Sequence, residues 1–265
     1  MNIHSISIKG LREQNEDQHD IITNINNNNR KYKNVNFYGV YDGHGGKEVS
    51  TQIQKKLSKY FINKNVKYPL NKNYVYNVYN KIQENLKKKE YAQFCGSTCL
   101  AVIHFLYKNN QYINVLNTGD SRCVLCRDNF ALPLTKDHKP HWPEEKNRIE
   151  KLGGQIKFDG YDWRIKSLSV SRAFGDFDST PYVSHTPDIF RYKIDNNDKF
   201  FILACDGLWD VCSNFDAVNF VLSFCYDNTT NIRINKNINI AKKLAEYALK
   251  KGSTDNITII VVFLQ

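Results

Sequence analysis

The chain has 265 residues and a formal net charge of +10, and 41% of its residues are hydrophobic and 13% aromatic. That balance excludes a disordered chain, and no run of about 18 apolar residues is present to span a bilayer. The lysines are scattered among asparagines ("NINNNNR", "NKNYVYN", "INKNINI"), with no basic helix or aromatic-interleaved stripe, so no nucleic-acid partner is expected.

The seven cysteines are odd in number, and Cys99, Cys205 and Cys225 lie inside apolar runs. Reduced thiols in a cytoplasmic or nuclear protein are expected, not a disulfide framework. Cys123 and Cys126 form a CxxC, but "SRCVLCR" alternates like a strand and a structural zinc needs two more ligands. The first residues lack a basic stretch followed by an apolar core, so no secretory signal is expected. Residue 2 is Asn, which does not accept a myristoyl group.

Strand-like runs of β-branched and aromatic residues are predicted at Ile3–Ile8, Val35–Tyr41 and Ser97–Tyr107. Others follow at Tyr112–Leu116, Arg122–Cys126, Phe200–Cys205 and Ile257–Phe263. "VIHFLYKNNQYINVL" reads as a hairpin with Asn109 and Asn110 at its turn. Helical spacing joins Val49, Ile53, Leu57 and Phe61, and again Val75, Tyr79, Ile82 and Leu86. "PEEKNRIEKLGG" is a short helix with Pro143 in its first turn and Gly153 past its end. Ser213 with Asp216 three residues on suggests a capped helix start, and "NIAKKLAEYALKKG" a last helix ending before Gly252. Hairpins outnumber strand–helix–strand units, so the sheets should be largely antiparallel with helices outside. No repeat or long linker divides the chain, and a single domain over residues 1–265 is expected.

Three aspartates share one context, an apolar strand meeting an abrupt polar edge. Asp42 follows "FYGVY", Asp206 follows "FFILAC", and Asp255 precedes "NITIIVVF". In an antiparallel sheet the end of one strand lies beside the start of the next, so such residues can meet at one edge. Converging carboxylates repel unless a cation lies between them, and Mg²⁺ or Mn²⁺ prefers oxygen ligands. Glu16 and Asp17, in "REQNEDQ", offer two more. Taken singly, each of these positions also reads as an ordinary turn.

The flanking motifs resolve that ambiguity. "GLREQNED", "YDGHGG", "GSTCLAV", "NTGDSR", "LTKDHKP", "EEKNRIEKLGG", "SVSRAFGD", "TPDI", "CDGLWDV" and "GSTDNITIIVV" occur in this order. Together they make the chain similar, over nearly its whole length, to the metal-dependent Ser/Thr protein phosphatase family, type 2C. The resemblance implies an α+β fold, a four-layer α/β/β/α sandwich of two packed antiparallel sheets flanked by helices. It implies a monomer acting on phosphoserine and phosphothreonine in protein substrates, with two Mg²⁺ or Mn²⁺ ions per chain. Asp42 would bridge the ions, with Glu16 and the Gly43 carbonyl on one and Asp206 and Asp255 on the other. Arg12 would hold the phosphate and His44 would act as general acid. Asp120 and Asp210 match positions linked to a third, weaker metal, and Asp17, Thr98 and Asn256 would support the ligands.

These residue types suit the reaction. Arginine's planar fork can donate two parallel hydrogen bonds to one phosphate. A serine or threonine alkoxide is a poor leaving group, which protonation by His44 would help; a purely structural histidine holding the loop is the alternative. Gly43 would let a carbonyl turn toward metal, and Gly45 and Gly46 would allow a tight backbone beside the phosphate. "DFDST" (Asp176–Thr180) resembles an aspartate-nucleophile phosphatase motif but lacks the buried strand before it, and no cysteine is followed six positions on by arginine. A catalytically weak or inactive phosphoprotein-binding module on the same fold is the remaining alternative, although every matched acidic position is present. Between Trp163 and Arg172 the chain is one residue short of the family's usual stretch and lacks its glycine, and Gly175–Pro187 is compact. In the family this region is a flap beside the active site, so its change bears on substrate choice.

Overall fold

The structure, a computed structural model, describes residues 2–25, 35–63, 65–227, 229–230, 232–235 and 237–264. The asparagine-rich stretch 26–34 lies outside the described residues. The first elements are β1 (Asn2–Ile8), β2 (Gln18–Ile25), β3 (Val35–Tyr41) and the two-residue β4 (Gly43–His44). Helices α1 (Glu48–Phe61) and α2 (Lys72–Leu86) precede β5 (Gly96–Ser97), β6 (Cys99–Tyr107), β7 (Asn110–Thr118), β8 (Arg122–Arg127) and β9 (Phe130–Pro133). Helix α3 (Pro143–Lys151) leads to β10 (Ile156–Phe158), β11 (Trp163–Ile165) and β12 (Phe174–Gly175). After these come β13 (Asp188–Lys193), β14 (Asp198–Ala204), α4 (Asp206–Trp209), α5 (Asn214–Cys225), α6 (Ile240–Lys250) and β15 (Ile257–Phe263).

Two five-stranded sheets, ordered β1-β15-β14-β8-β9 and β13-β7-β6-β3-β2, form the centre, and all their ladders are antiparallel. Strands β3 and β14 are buried at every position, which is why they read as continuous apolar runs. Their alternate residues face opposite ways. Tyr38 and Val40 meet Phe201 and Leu203 between the sheets, with Tyr38 and Phe201 edge to face at 5.7 Å. Val35, Phe37 and Tyr41 instead pack under α1 and α2, and Phe200, Ile202 and Ala204 under α5 and α6. The expected four-layer α/β/β/α sandwich is therefore what the chain forms. The predicted helical faces are its outer layers: Val49, Ile53, Leu57 and Phe61 are fully buried, as are Ile240 and Leu244.

Several local expectations need correcting. The β6–β7 turn is Lys108–Asn109, both with positive φ, and Asn110 already pairs with Tyr107. The run Ser97–Tyr107 is broken at Thr98, whose backbone N–H donates to the Asp42 carbonyl at 2.9 Å instead of continuing a ladder. Strands β2 and β13, the edges of the second sheet, were not among the predicted strands, although Phe190 and Tyr192 of β13 alternate with Arg191 and Lys193 and pack on the core between the sheets. Cys123 and Cys126 point to opposite faces of β8, one into the core between the sheets and one under the helices, so they cannot share a metal. All seven cysteines are free and buried. Among the described residues no helix is long and apolar enough to cross a membrane.

Candidate active site

A cavity of about 620 Å³ opens at one end of the sandwich. Arg12, Glu16, Asp42, Gly43, His44, Thr98, Asp120, Asp206, Asp255 and Asn256 line it. The structure thus gathers ten of the twelve residues singled out from the sequence, drawn from positions as far apart as 12 and 256. Asp17 lies behind Asp42, 3% exposed, and Asp210 caps the end of α4 beyond Asp206.

The gathering differs from the expectation of one shared edge. Asp206 and Asp255 do flank neighbouring antiparallel strands, β14 and β15. Asp42 ends β3, which belongs to the other sheet. The carboxylates therefore converge across the sandwich, brought together by face-to-face packing and not by strand pairing alone.

The segments that carry these carboxylates are held by their own neighbours. The Asp42 backbone N–H donates to Thr98 Oγ1 at 3.1 Å, and Thr98 Oγ1 shares a 2.8 Å hydrogen bond with Ser121. Asp17 Oδ2 accepts from Thr258 Oγ1 at 2.6 Å. Asn256 Oδ1 accepts from the Glu16 N–H at 2.8 Å, while its Nδ2 donates to the carbonyls of Lys9 and Gln14, each at 2.8 Å. That one side chain pins the loop carrying Arg12 and Glu16 against the start of β15. Gly43 does not take a positive φ; a Cβ there would sit 2.4 Å from the Glu16 carbonyl oxygen, so close packing is what calls for glycine. Gly45 and Gly46 do take positive φ, at 67° and 128°.

The crowding has an electrostatic signature. Burial pushes the Asp42 and Asp206 carboxyls well above the ordinary range, and neighbouring carboxylates push them further. Burial likewise raises Asp210, and it lifts Asp17 to about 6. Asp42, Asp120 and Asp206 bring carboxylate oxygens within 4.8 Å of one another. Asp17 Oδ1 and Asp120 Oδ1 are buried without a hydrogen-bond partner. An oxygen-only donor set this dense fits a hard divalent cation such as Mg²⁺ or Mn²⁺.

Cations already face part of this charge. Arg12 Nη2 donates to Asp255 Oδ2 at 2.7 Å across the cavity mouth, where the arginine side chain is 61% exposed. Lys139 Nζ donates to Asp120 Oδ2 at 2.5 Å. His44 Nε2 donates to the buried Asp176 at 2.8 Å. Burial works against a charged His44 ring, but the hydrogen bond and charge of Asp176 outweigh it, and the imidazole is shifted upward.

Asp176 and Lys139 were not among the residues picked out from the sequence. Lys139 sits in "LTKDHKP", one of the quoted motifs, and that motif was the available signal. Asp176 was passed over as a chance likeness to a nucleophile motif. It follows the two-residue β12 in a left-handed conformation, unlike a strand-tip nucleophile. Arg164 and Ser167–Val170 line the cavity, so part of the shortened segment does lie next to the site.

The family model of protein phosphatase 2C matches residues 1–257. A PP2C-like domain-containing protein of Acanthamoeba polyphaga mimivirus is 48% identical over 167 residues, 57% of this chain and 93% of that protein. Protein phosphatase 2C homolog 1 of Schizosaccharomyces pombe is 38% identical over 237 residues, 86% of this chain but 63% of its own length. The chain thus spans less than two thirds of that longer relative. Among solved structures, a sex-determining protein of C. elegans superposes with a TM-score of 0.85 at 23% identity, over 99% of this chain and 64% of that one. The serine-threonine phosphatase 2C of Toxoplasma gondii superposes at 0.76 and 24% identity, over 99% of this chain and 94% of that one. The two structures establish the shared fold. With the match across residues 1–257 and the carboxylate cavity at the sandwich end, the chain belongs to the protein phosphatase 2C family.

Proposed function

We propose that this chain is a single catalytic domain, residues 1–265, that hydrolyses phosphoserine and phosphothreonine in proteins with two Mg²⁺ or Mn²⁺ ions. The observation that carries the proposal is the convergence of Asp42, Asp206, Asp255, Glu16, Arg12 and His44 on one polar cavity. Asp42, Glu16 and the Gly43 carbonyl would hold one ion, and Asp42, Asp206 and Asp255 would hold the other. Asp120 keeps one oxygen free beside Lys139, which suits a weaker third ion with Asp210. When bound, the ions offset the charge of the phosphate dianion and make hydroxide available near neutral pH.

The remaining steps belong to the chain's own groups. Arg12 exchanges Asp255 for the phosphate, to which its fork donates two parallel hydrogen bonds. Thr98 and Asn256 keep Asp42 and the Arg12 loop in register, so the phosphate meets a fixed constellation. His44 gives a proton to the departing serine or threonine oxygen, an assistance worth roughly 10²–10⁴-fold. The protein acts as a monomer in the cytoplasm or nucleus, a placement supported by its seven unpaired, buried thiols.

Phosphate release from a phosphothreonine peptide, with and without Mn²⁺, tests the reading. Turnover that survives excess chelator would overturn it. Asp206→Asn and Asp255→Asn should each lower kcat at least about 100-fold while circular dichroism stays native. Peptide binding without turnover in saturating Mn²⁺ would select the non-catalytic module instead.

A further inference from the structure

His44 does not stand alone in the cavity wall. Its Nε2 donates to Asp176 Oδ2 at 2.8 Å, and Asp176 is 1% exposed, 132 residues away in sequence. A small three-stranded sheet, ordered β12-β5-β4, brings the two together. His44 on β4 and Gly175 on β12 both pair with Gly96 on the central β5. The imidazole reaches Asp176 over the space above Gly96. A Cβ on Gly96 would lie 2.0 Å from Asp176 Oδ2 and 2.4 Å from His44 Nε2. Only glycine leaves that path open.

The carboxylate is fixed from behind as well. Asp176 takes a left-handed backbone, φ 48° and ψ 44°, and its N–H donates to the Cys95 carbonyl at 3.2 Å. The residue before it is clamped by the buried Gln83 of α2. The side-chain oxygen of Gln83 accepts from the Gly175 N–H at 3.0 Å, and its nitrogen donates to the Gly175 carbonyl at 3.1 Å. Helix α2 thus anchors the strand that carries Asp176.

We infer that Asp176 is a positioning residue that locks the His44 ring with Nε2 inward, so that Nδ1 is the atom that protonates the leaving group. The inference rests on the reading of His44 as proton donor. A carboxylate only accepts hydrogen bonds, so Nε2 carries the hydrogen in this pair. Nδ1 makes no hydrogen bond among the described residues, and His44 lines the cavity. In the reaction the bond from phosphorus to the serine or threonine oxygen breaks, and its electron pair goes to that oxygen. The oxygen takes the proton from Nδ1, and hydroxide forms the new bond to phosphorus. Solvent returns one proton to the ring, matching the one that water lost in becoming hydroxide.

The test compares a phosphothreonine peptide with p-nitrophenyl phosphate, whose leaving group needs little protonation, in Mn²⁺. His44→Ala, Asp176→Asn, Asp176→Ala and the His44→Ala/Asp176→Ala double variant are measured, each checked for a native melting temperature. Asp176→Asn keeps size and shape but not charge. It should lower kcat on the peptide about 10- to 100-fold with KM little changed, and kcat on the aryl phosphate less than about threefold. Asp176→Ala should add almost nothing to His44→Ala, because the two act as one unit. Equal losses on both substrates, or losses that multiply in the double variant, would overturn the role of Asp176. Equal losses on both substrates in His44→Ala itself would instead overturn the proton-donor reading.

Discussion

Asn256 illustrates how much one short side chain decides here. Its amide joins the Glu16 N–H, the Lys9 carbonyl and the Gln14 carbonyl, and it is 6% exposed. Truncation would leave these backbone groups without partners, at a cost of about 1 kcal/mol for each lost bond. Asn256→Ala should therefore lower stability by about 2–3 kcal/mol in urea titration. Because the same loop carries Arg12, KM for a phosphopeptide should rise more than kcat falls. Asp176 shows the limit of reading single residues. Its neighbours in sequence say nothing of an imidazole 132 positions away, and its apparent motif pointed to different chemistry.

At the scale of elements, local rules and long-range ties divide the work. Helix α5 begins with a capping box, Ser213 accepting from the Asp216 N–H at 3.1 Å and Asp216 accepting from the Ser213 N–H at 3.2 Å. Ser213→Ala should cost about 1 kcal/mol in stability without changing turnover. Helix α3 is tied instead by charge. Glu145, 4% exposed, accepts from Arg172 at 2.6 Å and from Arg148 at 2.8 Å, and Arg172 also donates to Asp188. Burial alone would raise the Glu145 carboxyl, but the two guanidiniums outweigh it and bring it down to about 2. A carboxyl depressed in the folded state contributes stability above its unfolded value, near 4.3, and loses it as pH falls through the folded one. Glu145→Gln should thus destabilise by about 3 kcal/mol at pH 6. The gap to the parent protein should narrow steadily from pH 5 to pH 2 in denaturant titrations. A gap independent of pH would remove the ionic explanation.

Across the whole molecule, the cavity spans the ends of both sheets, with Asp42 from one and Asp206 and Asp255 from the other. A divalent ion held there, as proposed, would tie the two halves of the sandwich in the folded state only. Mn²⁺ at about a hundredfold excess over its Kd should stabilise by about 2.7 kcal/mol, raising the melting temperature by roughly 5 °C. Asp206→Asn should lose most of that shift. The predicted helices and seven of the ten strands of the two central sheets were legible because each carries a periodic apolar face or a continuous apolar run that the sandwich buries. The edge strands β2, β9 and β13 were not: Ile21 and Ile22 of β2 face opposite cores, β9 is four residues long, and the alternation of β13 is brief. The β6–β7 turn was misplaced by one residue because Lys108 takes the positive φ that Asn110 was expected to supply.

Sequence alone determined where five helices and seven strands of the two central sheets would lie, and that Asp42, Asp206 and Asp255 stand where strands meet polar edges. It did so because burial imposes a local period and strand ends carry local turn chemistry. Only the tertiary structure decided that these carboxylates meet across two sheets, that Arg12 faces Asp255, and that Asp176 holds His44 over Gly96. Those pairings are set by how layers pack, and the partners of a packed layer leave no mark in the residues adjacent in the chain.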